Sequence, residues 1–519
     1  FGLCAASNSL YVFGSDVGVV VPSGLTYQRL PNPANSSLDM TDVLYTEVFN
    51  GLPYVIAQYT DGSVFHFYNG TNVTAWNSIA ATVGDNTGIA AALAAQITLA
   101  ANITATSAGA VVTVTYDSNN VPFSISTAAI SGTNLISAVQ TQAAGAGVPE
   151  IWQITISGTF NVNSVLSATV IVPSTSFNQE YRVNGGASGR AKVVKTFKNK
   201  MYAGTRSLLY FSQINSATAW NTNVNGSGFI NMSNQDAGSE DLTALASYQG
   251  RLAIFSPSAI QVWAMDPDPL KNAQVQVLNS IGTRYPKSVV NFGDIDVFFL
   301  AGVGIRSMKA RDASNSAAVS DIGIYIDTVV AADLAKLTEI VRSQACAIVE
   351  QVEGRYMLAV GPRIYVYSYF PSSNISAWSV YEPGFTVSDF AYTNGKLYAR
   401  AEDTVYLYGG NSGSTYDDCE VTVRFPYLDG GKPAHRKLLE GIDAAVDGTW
   451  DVFVNCDTSA VDAYDQIATI EKSTYDTGRL SAVGTGTHFG AKLISKTAGY
   501  ARISNFAFHY KGGEEDQSP

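Results

Sequence analysis

Imidazole is scarce in this chain. His66, His435, His488 and His509 are its four histidines, and they are the first side chains to weigh for acid–base or metal chemistry. None stands at a metal-ligand spacing from another His or Cys, and none adjoins a Gly-x-Ser-x-Gly turn that would present a nucleophile. His66 falls inside the alternating run Val64 to Tyr68, where a hydrogen-bonded or solvent-facing imidazole accounts for it. Asp266-Pro267-Asp268-Pro269 brings two carboxylates into a stiff segment, well short of the about six to eight oxygens a calcium site collects, so it reads as a turn. The 43 Asp and Glu permit a glycosidase's carboxylate pair, but their spacing singles none out. Cys4, Cys346, Cys419 and Cys456 are too far apart for a zinc spacing or a small-domain disulfide framework and read as buried thiols. No catalytic, cofactor-binding or metal residue is therefore assigned, and the chain reads as a protein that is not an enzyme.

What the sequence does carry is a repeat. Phe197-Lys198-Asn199-Lys200-Met201-Tyr202-Ala203-Gly204 with Leu208-Leu209-Tyr210-Phe211 matches Tyr248-Gln249-Gly250-Arg251-Leu252-Ala253-Ile254-Phe255 with Ile260-Gln261-Val262-Trp263. Each copy is a polar turn, an apolar run, a break and a second run, the pattern of a β-hairpin. Further copies begin at Ser7-Asn8-Ser9, Asn50-Gly51, Gly293-Asp294, Glu353-Gly354-Arg355 and Asn394-Gly395-Lys396. From Phe197 on they recur roughly every 40 to 60 residues, the length of a four-stranded propeller blade. A second echo, Thr74-Ala75-Trp76-Asn77, Thr218-Ala219-Trp220-Asn221 and Ser376-Ala377-Trp378-Ser379, follows three of the hairpins.

The expected fold is mainly β, a six- or seven-bladed β-propeller with a small inserted α+β domain and a C-terminal β-sandwich-like domain. Residues 1–76 are the first part of the propeller, 77–181 the insertion, 182–412 the rest of the propeller and 413–519 the C-terminal β domain. The insertion shows as a turn to Ala, Ser, Thr and Val, with a short amphipathic helix at Gly88 to Ala101. Strands are expected in it at Val111 to Tyr116, Phe123 to Thr127, Ile151 to Ser157 and Leu166 to Val172. Ala331 to Val341 predicts one helix with Leu334, Leu337 and Val341 on a single face. Past a linker at Gly409 to Ser414, strands at Cys419 to Phe425, Gly441 to Val446, Trp450 to Asn455, Ile467 to Ile470 and Ala501 to Tyr510 precede an acidic tail, Gly512 to Pro519.

With 46% apolar and 14% charged residues, 45 Gly and 28 Tyr, the 519 residues suit an ordered, turn-rich β protein. The formal charge of -12 argues against gripping nucleic acid, since phosphate affinity comes from Lys and Arg, and none of either lies between Arg29 and Arg182. No apolar run reaches the length of a membrane span; Ile89 to Ala101 comes nearest.

The run Ser280-Ile281-Gly282-Thr283-Arg284-Tyr285-Pro286-Lys287-Ser288-Val289, continuing through Val297-Phe298-Phe299-Leu300 to Gly304-Ile305-Arg306-Ser307, resembles the tail nozzle proteins of short-tailed bacteriophages, also called tail tubular protein B. Gly250 to Phe255 with Ile260 to Trp263 resembles the related packaged-DNA stabilisation proteins, and Gly499 to Tyr510 is similar to how those chains finish. The likeness spans most of 182 to 510 and, more loosely, the first 76 residues. It implies a structural virion protein at the distal end of the tail: a homo-oligomeric, six-fold ring below the head-to-tail adaptor proteins. Viral DNA would pass its channel without specific binding, during genome retention and ejection. Tail fibres or spikes and the host envelope are further implied partners, and no cofactor is. The insertion departs most from the family. Two other classes fit a propeller: a sialidase-like or glycan-depolymerising tail protein, and an interaction scaffold with no phage role. The first needs a convergent Arg and carboxylate cluster, and no Asp-box of the Ser-x-Asp-x-Gly-x-Thr-Trp type recurs here.

Overall fold

Each copy of the repeat is the turn between the first and second strands of a small antiparallel sheet in the computed structural model. Five of these turns, Ser7-Asn8, Asn50-Gly51, Lys198-Asn199, Gln249-Gly250 and Asn394-Gly395, have positive φ at both positions, the conformation whose twist matches a two-residue hairpin. The structure describes residues 1–512 except 18, 22, 34, 74–85, 99–101, 131–134, 159–164, 174–176, 185–190, 221–225, 233–239, 310–320, 352–353, 371–374, 410–419 and 497–498. Expectations for Trp76, Cys419, the linker beyond Gly409 and the acidic tail beyond Gly512 fall outside the described residues.

The chain divides into two compact units, Phe1–Tyr406 and Leu407–Pro519. In the first, seven repeat copies make seven sheets, whose first strands are Gly2–Ala6, Met40–Phe49, Val193–Phe197, Ala244–Tyr248, Val290–Phe292, Cys346–Glu350 and Asp389–Thr393. Each sheet adds one or more strands outward in sequence order. Leu25–Arg29 in the first sheet runs parallel to Ser9–Gly14, a departure from the antiparallel pairing of the second to sixth sheets. Each first strand lies against the first strand of the next sheet, and the seventh returns to the first, closing a propeller-like ring.

Side-chain alternation explains the ring. Leu252 and Ile254 point into the core shared with the third sheet, while Ala253 and Phe255 point into the core shared with the fifth. Both faces of a sheet are therefore buried, as the near-continuous apolar runs require. Every neighbouring pair has its own apolar cluster. The smallest closes the ring, with Leu3, Leu10 and Ala391 as its buried members.

Between the second and third sheets the insertion packs helix Asn86–Ile97 on a four-stranded and a three-stranded sheet. Ile89, Leu93 and Ile97 are buried against Val112, Val114, Ile154, Leu166 and Val170, the face the four-residue spacing selects. Strand Phe177–Asn184 pairs with Val165–Val172 along its whole length. The insertion's own sheet therefore runs past 181, and a boundary there would split one of its strands. Deleting 76–188 and joining the ends with a short Gly/Ser linker should leave the seven-sheet unit folded. Its melting temperature should stay within a few degrees; a molten or insoluble product would show that the insertion is part of the ring's core.

Two further expectations need correction. The single helix over Ala331 to Val341 is two, Asp327–Lys336 and Glu339–Ser343, because Leu337 is extended and the Thr338 side chain caps the second by accepting from Val341 N. The tryptophan echo is not structurally equivalent where it is described. Trp220 lies in a coil segment, buried between the second and third sheets, whereas Trp378 lies within the outermost strand of the sixth sheet.

In the second unit, strands ordered Val421–Arg424, Gly490–Ser495, Trp450–Asn455, Asp465–Ile470 share a core with Gly484–Gly486, Lys437–Asp447, Arg502–Gly512. Trp450, Val452, Ala491 and Leu493 from one sheet meet Ala444 and Val446 from the other.

Candidate functional site

The axis of the ring is where a channel would run, and its wall is made by the seven first strands. Of their residues only Thr41 is exposed; all others are buried or half-buried. Almost no side chain of this wall is freely exposed.

Polar groups on this wall are spent on neighbouring strands. Thr46 Oγ1 donates to Leu3 O (3.3 Å), Thr196 Oγ1 to Val48 O (2.8 Å) and Asn291 Nδ2 to Ser247 Oγ (2.9 Å). Asp389 Oδ2 accepts from Leu3 N at 2.9 Å across the closing joint. Lys195 Nζ lies 3.2 Å from Glu47 Oε2; the Glu47 carboxylate raises the lysine's pKa against the opposing effect of burial. Burial pushes the Tyr45 hydroxyl up to about 12 and the Cys4 thiol likewise to about 12, so neither supplies an anionic nucleophile at neutral pH. These groups stitch strands together, and their arrangement offers no activated nucleophile.

The histidines are scattered rather than convergent. His66 is buried between the second and third sheets, with Nδ1 3.0 Å from Tyr54 Oη and Nε2 2.9 Å from Ala191 O. In the second unit, His488 Nδ1 is 2.9 Å from Thr487 Oγ1, and the His435 carbonyl accepts from Lys437 Nζ at 2.9 Å. His509 Nε2 lies 2.7 Å from Asp443 Oδ2, whose Oδ1 accepts from Thr474 Oγ1 at 2.9 Å. Among the described residues no three His, Cys, Asp or Glu side chains converge as a metal site. Asp266 and Asp268 form a turn, Asp268 N donating to Asp266 Oδ1 at 2.9 Å.

Sequence reasoning missed the buried cations. Lys200 Nζ donates to Gly226 O (2.7 Å) and Pro267 O (2.9 Å), and burial lowers its pKa while Asp266 and Asp268 oppose the shift. Lys437 Nζ donates to Lys432 O (2.6 Å), His435 O (2.9 Å) and Thr487 O (2.8 Å). Arg306 lies between Asp321 and Asp327. Lys200 begins the second strand of its sheet beside the positive-φ turn, and a charge there is no signal of burial, because Arg251, Asp296, Arg355 and Lys396 begin matching strands as well.

No family model and no curated protein matches the chain. Among solved structures, a protein from Bacteroides uniformis provisionally assigned as a 6-phosphogluconolactonase is similar at 11% identity, covering 70% of this chain and 89% of its own, with a TM-score of 0.29. BamB from Moraxella catarrhalis is similar at 11% identity over 48% of this chain and 80% of its own, with a TM-score of 0.23. Likenesses of this size carry no function across, and the fold described above rests on strand pairing and packing.

Proposed function

We propose that the chain is a structural subunit of a short-tailed phage tail nozzle. In this reading the first unit is a seven-bladed β-propeller carrying an inserted α+β domain, and the second is a β-sandwich. The observation that carries it is how the 280–307 run, which bears the resemblance, is used. Gly282 passes so close to Ser256 that an added Cβ would meet its carbonyl oxygen at 2.0 Å. Thr283 Oγ1 donates to Leu300 O at 2.6 Å, and Ser288 Oγ accepts from Leu300 N at 3.2 Å. Those residues join the fourth sheet to the fifth, and Gly304 to Ser307 anchor the helix that follows. A run devoted to fixing the angle between sheets suits a scaffold better than an enzyme.

Because the first strands leave almost no freely exposed side chain along the ring's axis, DNA in this reading passes between several copies rather than through one. The subunit would sit in the virion tail, bounded by the adaptor proteins and by fibres or spikes. Electron micrographs of the purified protein test it: ring-shaped particles with an open axis support the nozzle, and a lasting monomer overturns it. An acidic subunit should also let DNA slide. The assembled particle is expected to bind free duplex more weakly than about 10⁻⁴ M at physiological salt, the weak end of non-specific binding. Tight binding that falls steeply with salt in a titration would point to a DNA clamp instead.

A further inference from the structure

The helix Asp327–Lys336 and the turn before it are amphipathic the wrong way round for a surface element. Surface helices direct charge to water; this one turns both its acids inward and leaves Lys336, at its end, in water. Asp327 pairs with Arg306, while Asp333 holds Arg363 Nη1 at 2.5 Å and accepts from Tyr365 Oη at 2.8 Å. The residues left facing solvent from 324 to 335 are Ile324, Tyr325, Thr328, Val329, Ala331, Ala332 and Ala335, without a charge among them. Tyr325 is 90% exposed, and Ile340 on the next helix is 75% exposed. The inward ion pairs fix the helix, so the face is preformed and needs little ordering to bind.

Charge selects the occupant. The acids around the face, Asp321, Asp327, Asp333, Glu339 and Glu382, meet Arg306, Arg363, Lys336 and Arg342, so five negative and four positive groups leave this locality one charge from neutral in a chain of formal charge -12. Copies of so acidic a chain repel one another over most approaches, and like charges brought together across an interface are costly. They can meet with little of that cost where the surface is uncharged and its rim is close to balanced. Nucleic acid would gain nothing from such a face. A membrane-surface helix would carry a basic polar face, whereas the Lys336 ammonium here is 3.2 Å from Asp333. Tyr325 supplies the large aromatic anchor typical of an interface core, and the alanines allow close approach.

We infer that the uncharged face of Ile324 to Ala335 is a contact between copies of this chain, built around Tyr325. The assignment deepens the ring reading and rests on it only for the shape of the assembly. The test compares the full chain with Tyr325→Glu and Ala332→Glu, both at exposed positions, and with Val20→Glu, at a 93% exposed position in the first unit, as control. Sedimentation velocity across a dilution series, circular dichroism and negative-stain micrographs are recorded for each. The natural chain and the control should assemble alike, while both face variants, with unchanged dichroism, dissociate at concentrations about tenfold higher or more. Assembly of the face variants equal to that of the natural chain overturns the inference and leaves the ring reading standing. Assembly that the variants abolish, but whose particles are not rings, supports the inference and overturns the ring. A natural chain that stays monomeric yet floats with phosphatidylglycerol vesicles overturns both.

Discussion

Replacing Arg306 with methionine should destabilise the first unit by about 3 to 5 kcal/mol, the usual cost of removing one partner from a buried ion pair. The guanidinium stands between two carboxylates: Nε is 3.6 Å from Asp321 Oδ2, and Nη1 pairs with Asp327 while also donating to Ile305 O at 2.8 Å. Both carboxylates are also tied to backbone. Asp321 Oδ1 accepts from Ser307 N at 2.8 Å, and Asp327 Oδ1 from Ile305 N at 3.0 Å. Methionine fills much of the arginine's volume but leaves both acids charged in a poorly solvated place, so the loss is electrostatic. The backbone leaves little room to adjust, because a Cβ on Gly304 would lie 2.0 Å from Asp327 Oδ1.

The variant should also change how stability depends on pH. Nearby Asp296, which accepts from Ser307 Oγ at 2.6 Å, shows the direction: burial holds its carboxyl above the ordinary range despite its hydrogen bonds. A group raised in this way binds its proton more tightly folded than unfolded. Its contribution is full below the unfolded pKa and is lost as pH rises through the folded pKa. Removing Arg306 takes the counter-charge from the Asp321 and Asp327 carboxylates, and the repulsion and desolvation that follow are relieved when acid neutralises a carboxylate. The stability gap between natural and variant protein should therefore be widest near neutrality and narrow on acidification towards pH 4, read as urea midpoints at several pH values. A gap that stays constant or widens on acidification would mean that Arg306 contributes packing rather than charge.

What the sequence disclosed followed from local chemistry. Asn50-Gly51 and Asn394-Gly395 are what a tight two-residue turn prefers, and Lys198-Asn199 and Gln249-Gly250 could be recognised beside them because the flanking apolar runs matched. One turn per sheet then made all seven sheets visible. The helix of the insertion was legible for the same reason, its three large apolar residues falling at one spacing. Contacts between distant segments were not. Arg306 meets Asp321 and Asp327 only after the chain has turned out of the fifth sheet, and no period links the three. Gly490–Ser495, an inner strand of the second unit, also went unread. It begins at glycine, and Lys492 and Ile494 on its outer side give a weak polar alternation. His66, Lys200 and Lys437 are ordinary in sequence, and only burial shows that they are fixed to carbonyls or hydroxyls.

Opening the ring should depend most on Asp389. The joint between the seventh and first sheets has no exchanged strand and the smallest apolar cluster of the seven, so polar contacts carry a larger share there. Asp389 Oδ2 accepts from the Leu3 amide at 2.9 Å and Oδ1 from its neighbour Phe390 N at 3.0 Å, and Asn394 Nδ2 donates to Asn8 O at 2.8 Å farther out. Alanine at 389 leaves a buried Leu3 N–H without its charged acceptor, a loss of about 1.5 to 3 kcal/mol. Because that loss falls on one joint, it should show first as local opening rather than as a uniform drop in stability. Two buried thiols report on this. Cys4 lies in the first strand, and Cys346 belongs to the core between the sixth and seventh sheets, its thiol also pushed up by burial. In the natural protein both should resist a thiol reagent at pH 8. In Asp389→Ala, Cys4 should label at least about tenfold faster, while Cys456 in the other unit keeps its rate, since 1.4 kcal/mol of easier opening is a factor of about ten. Equal labelling of Cys4 in both proteins would place the weak point of the ring elsewhere and leave the apolar cluster of Leu3, Leu10 and Ala391 sufficient to hold the joint.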